Sequence, residues 1–127
     1  MTASTDSRDG DIGDASHPDY GSNYYWIVKM DAAGNKQWDK LYGGSGFQNA
    51  NAIWQTTDGG YIISGQSNSS QSGDVSGVNH KLFGSLNSDY WILKLDASGN
   101  KVWDKLLGST RTNSIIPFNK QRTEGLL

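Results

Sequence analysis

The sequence predicts an all-β protein made of short antiparallel strands, and three observations carry that prediction. The first is composition: 16 Gly but only 2 Pro among 127 residues, with 5 Trp and 6 Tyr supplying much of the apolar bulk. Gly, Asn, Asp and Ser favour turns, whereas Trp and Tyr fit a pleated, half-buried surface. The second is a set of short apolar runs bounded by turn residues, of which Tyr90 to Leu95 is the clearest. The third is that the sequence repeats itself.

The stretch from Tyr90 to Leu107 predicts two strands joined by Asp96-Ala97-Ser98-Gly99-Asn100, with Trp91 on one strand and Trp103 on the other. Its counterpart runs from Tyr25 to Tyr42. Trp26, Asp31, Gly34, Asn35, Trp38 and Asp39 fall on Trp91, Asp96, Gly99, Asn100, Trp103 and Asp104 at a constant offset of 65. Upstream the offset is 63, where Gly10-Asp11-Ile12 falls on Gly73-Asp74-Val75 and His17 on His80. A length difference in the loop before the strand reconciles the two offsets, and loops tolerate such differences.

Taken in order, one unit holds four strands. Asn51 to Thr56 alternates weakly and predicts the first strand, closed by Asp58-Gly59-Gly60. Tyr61 to Gly65, β-branched and aromatic, predicts the second. Ser67 to Ser88 predicts a long polar loop. Tyr90 to Leu95 and Lys101 to Leu107 predict the third and fourth strands. Between them Asp96 accepts backbone N–H bonds from its own turn, and Gly99 takes the left-handed conformation of a type I turn with a G1 bulge. Trp91, Leu93 and Leu95 share one face of the third strand, and Tyr90, Ile92 and Lys94 the other. Apolar residues on both faces predict a layer packed on each side.

Four antiparallel strands per unit, covered on both faces and repeating at a period above 40 residues, point to the blade of a β-propeller. The repeat divides the chain into the C-terminal half of a blade at 1–43, one complete blade at 44–108 and a tail at 109–127. Closed propellers need roughly 4 to 8 blades. About one and a half blades make an incomplete propeller.

The tail breaks the pattern, for after Gly108 the unit should restart with something like Gly44 to Gly60. Pro117 to Leu127 can be encoded so that the same bases, read in another frame, give Ile-Gln-Gln-Thr-Thr-Asp-Gly-Gly-Leu-Ile. The complete blade offers Ile53-Trp54-Gln55-Thr56-Thr57-Asp58-Gly59-Gly60-Tyr61-Ile62, and the shifted Ile arises at Phe118, again 65 residues on. The tail therefore reads as an out-of-frame start of a further blade, with a divergent C-terminal strand as the alternative.

Composition narrows function more than it assigns it. A formal net charge of −2 gives no broad attraction to nucleic acid or anionic membrane. The absence of Cys excludes disulfides, thiolate nucleophiles and Cys-ligated zinc. No apolar run is long enough to span a bilayer, and the first ten residues lack the apolar core of a signal peptide. There is no nucleophile elbow, P-loop or dinucleotide fingerprint.

The words Asp89-Tyr90-Trp91-Ile92-Leu93-Lys94-Leu95-Asp96, Trp103-Asp104-Lys105, Gln55-Thr56-Thr57-Asp58-Gly59-Gly60-Tyr61 and Gly73-Asp74-Val75-Ser76-Gly77 resemble the tandem propeller-type repeats of large secreted or cell-surface proteins from Bacteroidetes and related bacteria. Many of those proteins carry a C-terminal type IX secretion sorting domain. The resemblance implies a β-propeller fragment from an exported protein, in an extracellular or cell-surface setting, from a group whose function is generally unassigned. Trp38-Asp39 and Trp103-Asp104 are also the dipeptides of WD40 repeats, but the period is too long for that family and its Gly-His partner is missing.

Several residues are candidates for a site. His17 and His80 are the only histidines; standing at equivalent loop positions, they read as structural before they read as metal-binding or acid–base groups. Asp9, Asp11 and Asp14, with Asp74 in the second copy, are weak calcium candidates, because hard cations take several carboxylate and carbonyl oxygens. Ser72 and Gly77 stand where Asp9 and Asp14 would recur, so a solvated turn is preferred and neither metal nor cofactor is expected. Lys29 and Lys94 interrupt apolar strands at one equivalent place, where a snorkelling or Asp-paired lysine at the blade edge is expected before a ligand-binding one. Trp26, Trp38, Trp91, Trp103, Asp31, Asp96, Gly34 and Gly99 are expected to serve the repeat structure itself, the Trp residues by packing blade on blade.

The function expected is that of a non-catalytic fragment of an extracellular repeat protein, used for scaffolding, adhesion or binding of protein or glycan. Its expected partners are neighbouring blades of a larger chain or further copies of itself, not nucleic acid. The alternatives are a remnant of a propeller-fold, glycan-active enzyme, whose catalytic acids would break the repeat, and a truncated product with no independent function.

Overall fold

A computed structural model describes residues 1–5, 10–13, 23–80 and 88–108. The described residues form strands and no helix: β1 (Thr2–Thr5), β2 (Tyr24–Met30), β3 (Lys36–Tyr42), β4 (Gln48–Gln55), β5 (Tyr61–Ser67), β6 (Asp89–Leu95) and β7 (Lys101–Leu107). All pairings are antiparallel. They make a three-stranded sheet ordered β1-β2-β3 and a four-stranded sheet ordered β4-β5-β6-β7. The first sheet lies within 1–43 and the second within 44–108. The tail at 109–127, and the altered-frame reading that concerns it, lies outside the described residues.

The two repeated hairpins owe their turns to the same three residues. Asp31 Oδ1 accepts the Ala33 and Asn35 N–H groups at 2.9 Å, and Asp96 Oδ1 accepts those of Ser98 and Asn100 at 2.9 Å. These bonds, the Asn35 and Asn100 N–H groups foremost, hold both carboxyls below their usual range. Gly34 and Gly99 follow with φ of +86° and +85°, a region that a side chain makes costly.

Two strands extend beyond their apolar pattern. β4 begins at Gln48 rather than Asn51, because a bulge shifts its pairing between Ala50 and Ala52. One extra residue resets which side chains face inward, and this hides the alternation from the sequence. β5 continues through polar Gln66 and Ser67, carried by backbone pairing to Tyr90 and Asp89.

Pairing sorts the second sheet into two faces. Tyr61, Ile63, Trp91, Leu93, Leu95, Asp104 and Leu106 share one face, while Tyr90, Ile92, Lys94, Trp103, Lys105 and Leu107 share the other. The first of these receives the first sheet, which presents Tyr25, Ile27, Trp38 and Tyr42. The Tyr25 and Trp91 ring centroids lie 4.6 Å apart at 45°, and those of Trp38 and Tyr61 lie 5.9 Å apart at 75°. Tyr25 donates its hydroxyl to the Trp91 carbonyl at 3.1 Å, and Tyr42 donates to the Gly99 carbonyl at 2.5 Å. At the sheet edge Ser4 Oγ accepts the Ala50 N–H and donates to Asn49 Oδ1, both at 2.9 Å. One core therefore joins Tyr25, Ile27 and Tyr42 to Ile63, Val75, Trp91, Leu93, Leu95 and Leu106. Trp91 is fully buried within it, and truncating such a side chain costs about 3–5 kcal/mol.

Candidate functional site

The most organised polar constellation occurs twice. Asp104 sits on β7 beneath the loop that follows β5, and its Oδ2 accepts the Trp91 indole N–H at 2.9 Å and the Ser76 backbone N–H at 2.9 Å. Its Oδ1 accepts the Ser76 hydroxyl at 2.8 Å and lies 2.8 Å from Lys101 Nζ. Lys101 in turn donates to the Asp74 carbonyl at 2.8 Å. The first unit has the same set without the hydroxyl, Gly13 standing where the second has Ser76. Asp39 Oδ2 accepts the Trp26 indole at 3.0 Å and the Gly13 N–H at 2.8 Å, and Lys36 spans Asp39 and the Asp11 carbonyl at 3.2 and 2.6 Å.

Each carboxylate thus ties one strand to its partner strand and to a loop. Desolvation pushes both carboxyls up, but the converging N–H and ammonium donors, with the Ser76 hydroxyl at Asp104, outweigh it and hold Asp39 and Asp104 below the usual range. In each copy the lysine ammonium already bridges the loop carbonyl and the strand carboxylate. Of the calcium candidates, Asp11 therefore contributes a backbone carbonyl to Lys36, and Asp74 does the same for Lys101 while its Oδ2 accepts the Gly43 N–H at 3.0 Å. Asp9 and Asp14 lie outside the described residues. Among the described residues no three His, Asp or Glu side chains converge.

The loop after β5 is more ordered than its Ser-rich composition suggests. Ser72 and Val75 pair across the tight turn at Gly73-Asp74, and Val75 plugs into the core. Beneath it a buried Gln48 donates its amide to the hydroxyls of Ser67 and Ser69, and Asn79 donates to the Ser67 carbonyl at 3.1 Å. At His80 the backbone N–H and Nδ1 both lie 2.7 Å from Asp89 Oδ2. A carboxylate only accepts, so Nδ1 carries the proton. Asp89 is buried and His80 is partly open to solvent. His17, its counterpart, lies outside the described residues.

Lys94 finds the acidic partner expected of it. Its Nζ lies 3.2 Å from Asp58 Oδ1 and donates to Thr56 Oγ1 at 3.1 Å, which itself donates to Asp58. The Thr56 hydroxyl, the Gly60 N–H and Lys94 together lower the Asp58 carboxyl to about 2.

Where the two sheets diverge they leave a cleft of about 300 Å³, lined on one side by Ile27, Lys29 and Trp38 and on the other by Ile53, Gln55 and Tyr61. Its walls offer two aromatic rings, an amide and an ammonium. Such a mixture suits hydroxylated or amide-bearing ligands better than purely apolar ones.

No model of a known protein family matches the chain, and no curated protein does.

The four repeat tryptophans divide by position. Trp91 is fully buried, Trp26 and Trp38 are partly buried, and Trp103 is 37% exposed. Sequence reasoning missed Asp89 as the partner of His80, since the Tyr24 position of the first unit carries no acid. It also missed the Tyr25 and Tyr42 hydroxyls that bind one sheet to the next. The one available signal was the departure itself, an Asp in the second unit where the first has an aromatic residue.

Proposed function

We propose that this chain is a non-catalytic repeat module of the β-propeller type, whose stacked sheets serve as scaffold and as a binding surface for protein or glycan outside the cell. The observation that carries the reading is the duplicated constellation around Asp39 and Asp104. Both acids that recur in the loop–strand clamp are engaged with Trp, backbone and Lys donors of their own unit, which is structural work rather than chemistry. The face-to-face packing of one unit on the next through Trp38, Tyr25 and Tyr42 supports the blade-like part of the reading. The extracellular part rests on the sequence resemblance.

Covalent extension tests it. A chain with residues 44–108 duplicated in tandem after Gly108 should unfold at a higher temperature than the parent, because stability in stacked repeats grows with each interface added. An unchanged midpoint, with the added unit behaving independently, sinks the reading.

A second reading, a remnant of a glycan-active enzyme, is favoured by one observation. Asp89 breaks the repeat, is buried and holds His80 at 2.7 Å. Hydrolysis of chromogenic glycosides that disappears in a folded Asp89→Asn variant would establish it and displace the first.

A further inference from the structure

We propose that the cleft between the two sheets binds an acidic glycan, a sugar chain bearing uronic acid carboxylates, with Lys29 taking the carboxylate. The inference deepens the binding-module reading above and rests on it.

Two cross-strand pairs face each other across the cleft. On one wall Lys29 stands opposite Trp38, and on the other Gln55 stands opposite Tyr61. Each wall thus sets a long polar side chain beside an aromatic ring. The Trp38 and Tyr61 rings meet edge to face, with centroids 5.9 Å apart at 75°, so the walls are joined by aromatic surface. Lys29, Trp38 and Tyr61 are partly buried and Gln55 is exposed.

The polar groups of these four residues are not spent within the described protein. The indoles of Trp26 and Trp91 donate to Asp39 and Asp104. The Trp38 indole, the Tyr61 hydroxyl and the Gln55 amide have no hydrogen-bond partner among the described residues. Lys29 departs most clearly from its counterpart. Lys94 Nζ is held by Asp58 Oδ1, Thr56 Oγ1 and the Leu95 carbonyl at 3.2, 3.1 and 2.9 Å. Lys29 has no carboxylate, hydroxyl or carbonyl partner among the described residues. The lysine that one unit pairs is left unpaired in the other, where it lines a cleft.

Charge and size then select the ligand. Lys29 carries the only charged side chain among the described residues lining the cleft, so the complement is a negative group. One ammonium matches one carboxylate, whereas a phosphate monoester, with a charge of about −1.5 to −2, would be under-neutralised. The indole, hydroxyl and amide suit sugar hydroxyls, and the two rings suit an apolar C–H face. A volume of about 300 Å³ stands at the small end of ligand pockets, which fits a sugar residue better than a docked protein surface. Uronic acids combine a single carboxylate, several hydroxyls and an apolar ring face.

Isothermal titration calorimetry of the full chain with trigalacturonate, triglucuronate and trimannuronate tests this, with maltotriose as the uncharged control. At least one acidic trisaccharide should bind, and maltotriose should bind more weakly by about tenfold or more. Lys29→Gln should weaken binding of the acid by the same factor, whereas Lys29→Arg should keep most of it. Lys105→Gln makes the same change of charge at an exposed position on the far face of the second sheet, and it should bind like wild type. Near-ultraviolet circular dichroism checks that each variant is folded. Lys29→Met, which keeps the apolar stem, gives the same reading should Gln unsettle the strand.

Absence of binding by all of the acidic trisaccharides at millimolar concentration overturns the proposal. So does maltotriose binding as tightly as the acids, or a folded Lys29→Gln or Lys29→Met variant that binds like wild type. None of these results touches the stacking of the repeat units, which the tandem-duplication experiment decides separately.

Discussion

The indole of Trp38 occupies the space that a side chain at Gly99 would need: a Cβ built there would lie 2.9 Å from the ring carbons Cη2 and Cζ3. Gly34 has the same φ to within a degree but no described atom within 4 Å of its Cβ position. Gly34→Ala and Gly99→Ala should therefore both suffer the left-handed backbone cost of about 1–2 kcal/mol. Only Gly99→Ala should add an overpacking cost of about 1–3 kcal/mol as Trp38 is displaced. Urea midpoints of the two variants measure the difference. Equal midpoints would mean that the sheets do not stack through this contact.

Asp104 offers a second test. Replacing it with Ala leaves the Trp91 indole and the Ser76 N–H without their acceptor, and a stranded buried donor costs about 1–3 kcal/mol. A loss of about 3 kcal/mol is expected from equilibrium unfolding. Asp104→Asn, which keeps one acceptor oxygen, should lose less. The equivalent Asp39→Ala should also lose less, because its site is more open.

Acid should destabilise the fold along a defined slope. Asp31, Asp39, Asp58, Asp96 and Asp104 all titrate below the usual carboxylate range when folded, Asp58 at about 2. The unfolded chain therefore binds more protons than the native one below about pH 5, and stability is lost as pH falls through that window toward 2. Melting temperatures read at steps from pH 6 to about pH 2 should fall continuously, by less in Asp104→Asn than in wild type. A flat profile would mean that these carboxylates are not engaged.

At the alkaline end the sign reverses through Tyr25. Burial pushes its hydroxyl well above the ordinary value of 10. Above that value the unfolded phenol ionises while the folded one keeps its proton, so stability falls as pH rises past about 10. Tyr25→Phe removes this slope, while losing the 3.1 Å bond to the Trp91 carbonyl at neutral pH. Ultraviolet titration of phenolate should show one more late-ionising tyrosine in the wild-type protein than in the variant.

The clefts and faces suggest a division of labour between local and distant information. Asp31, Gly34, Asp96 and Gly99 announce their turns within five residues of chain, because a carboxylate that accepts its own backbone N–H groups and a glycine with positive φ are local chemistry. The strand pairing of Tyr25 with Tyr42 and Tyr90 with Leu107 follows from those turns, and the all-β class follows from the pairing. The extent of β4 was not legible, because the bulge at Asn51 puts its residues out of step with a period of two.

What sequence by itself determined about this protein is therefore which residues share a face and which positions correspond between units. Tertiary structure decided what covers each face. Trp38 and Trp103 are each followed by Asp-Lys-Leu and hold the same place on a hairpin, yet one lies against Gly99 and Tyr61 while the other faces solvent. Alternation reports the direction in which a side chain points, and burial depends on whether another sheet stands there. His80 teaches the same lesson: its partner Asp89 stands nine residues on, at the start of β6, a contact that no local pattern encodes.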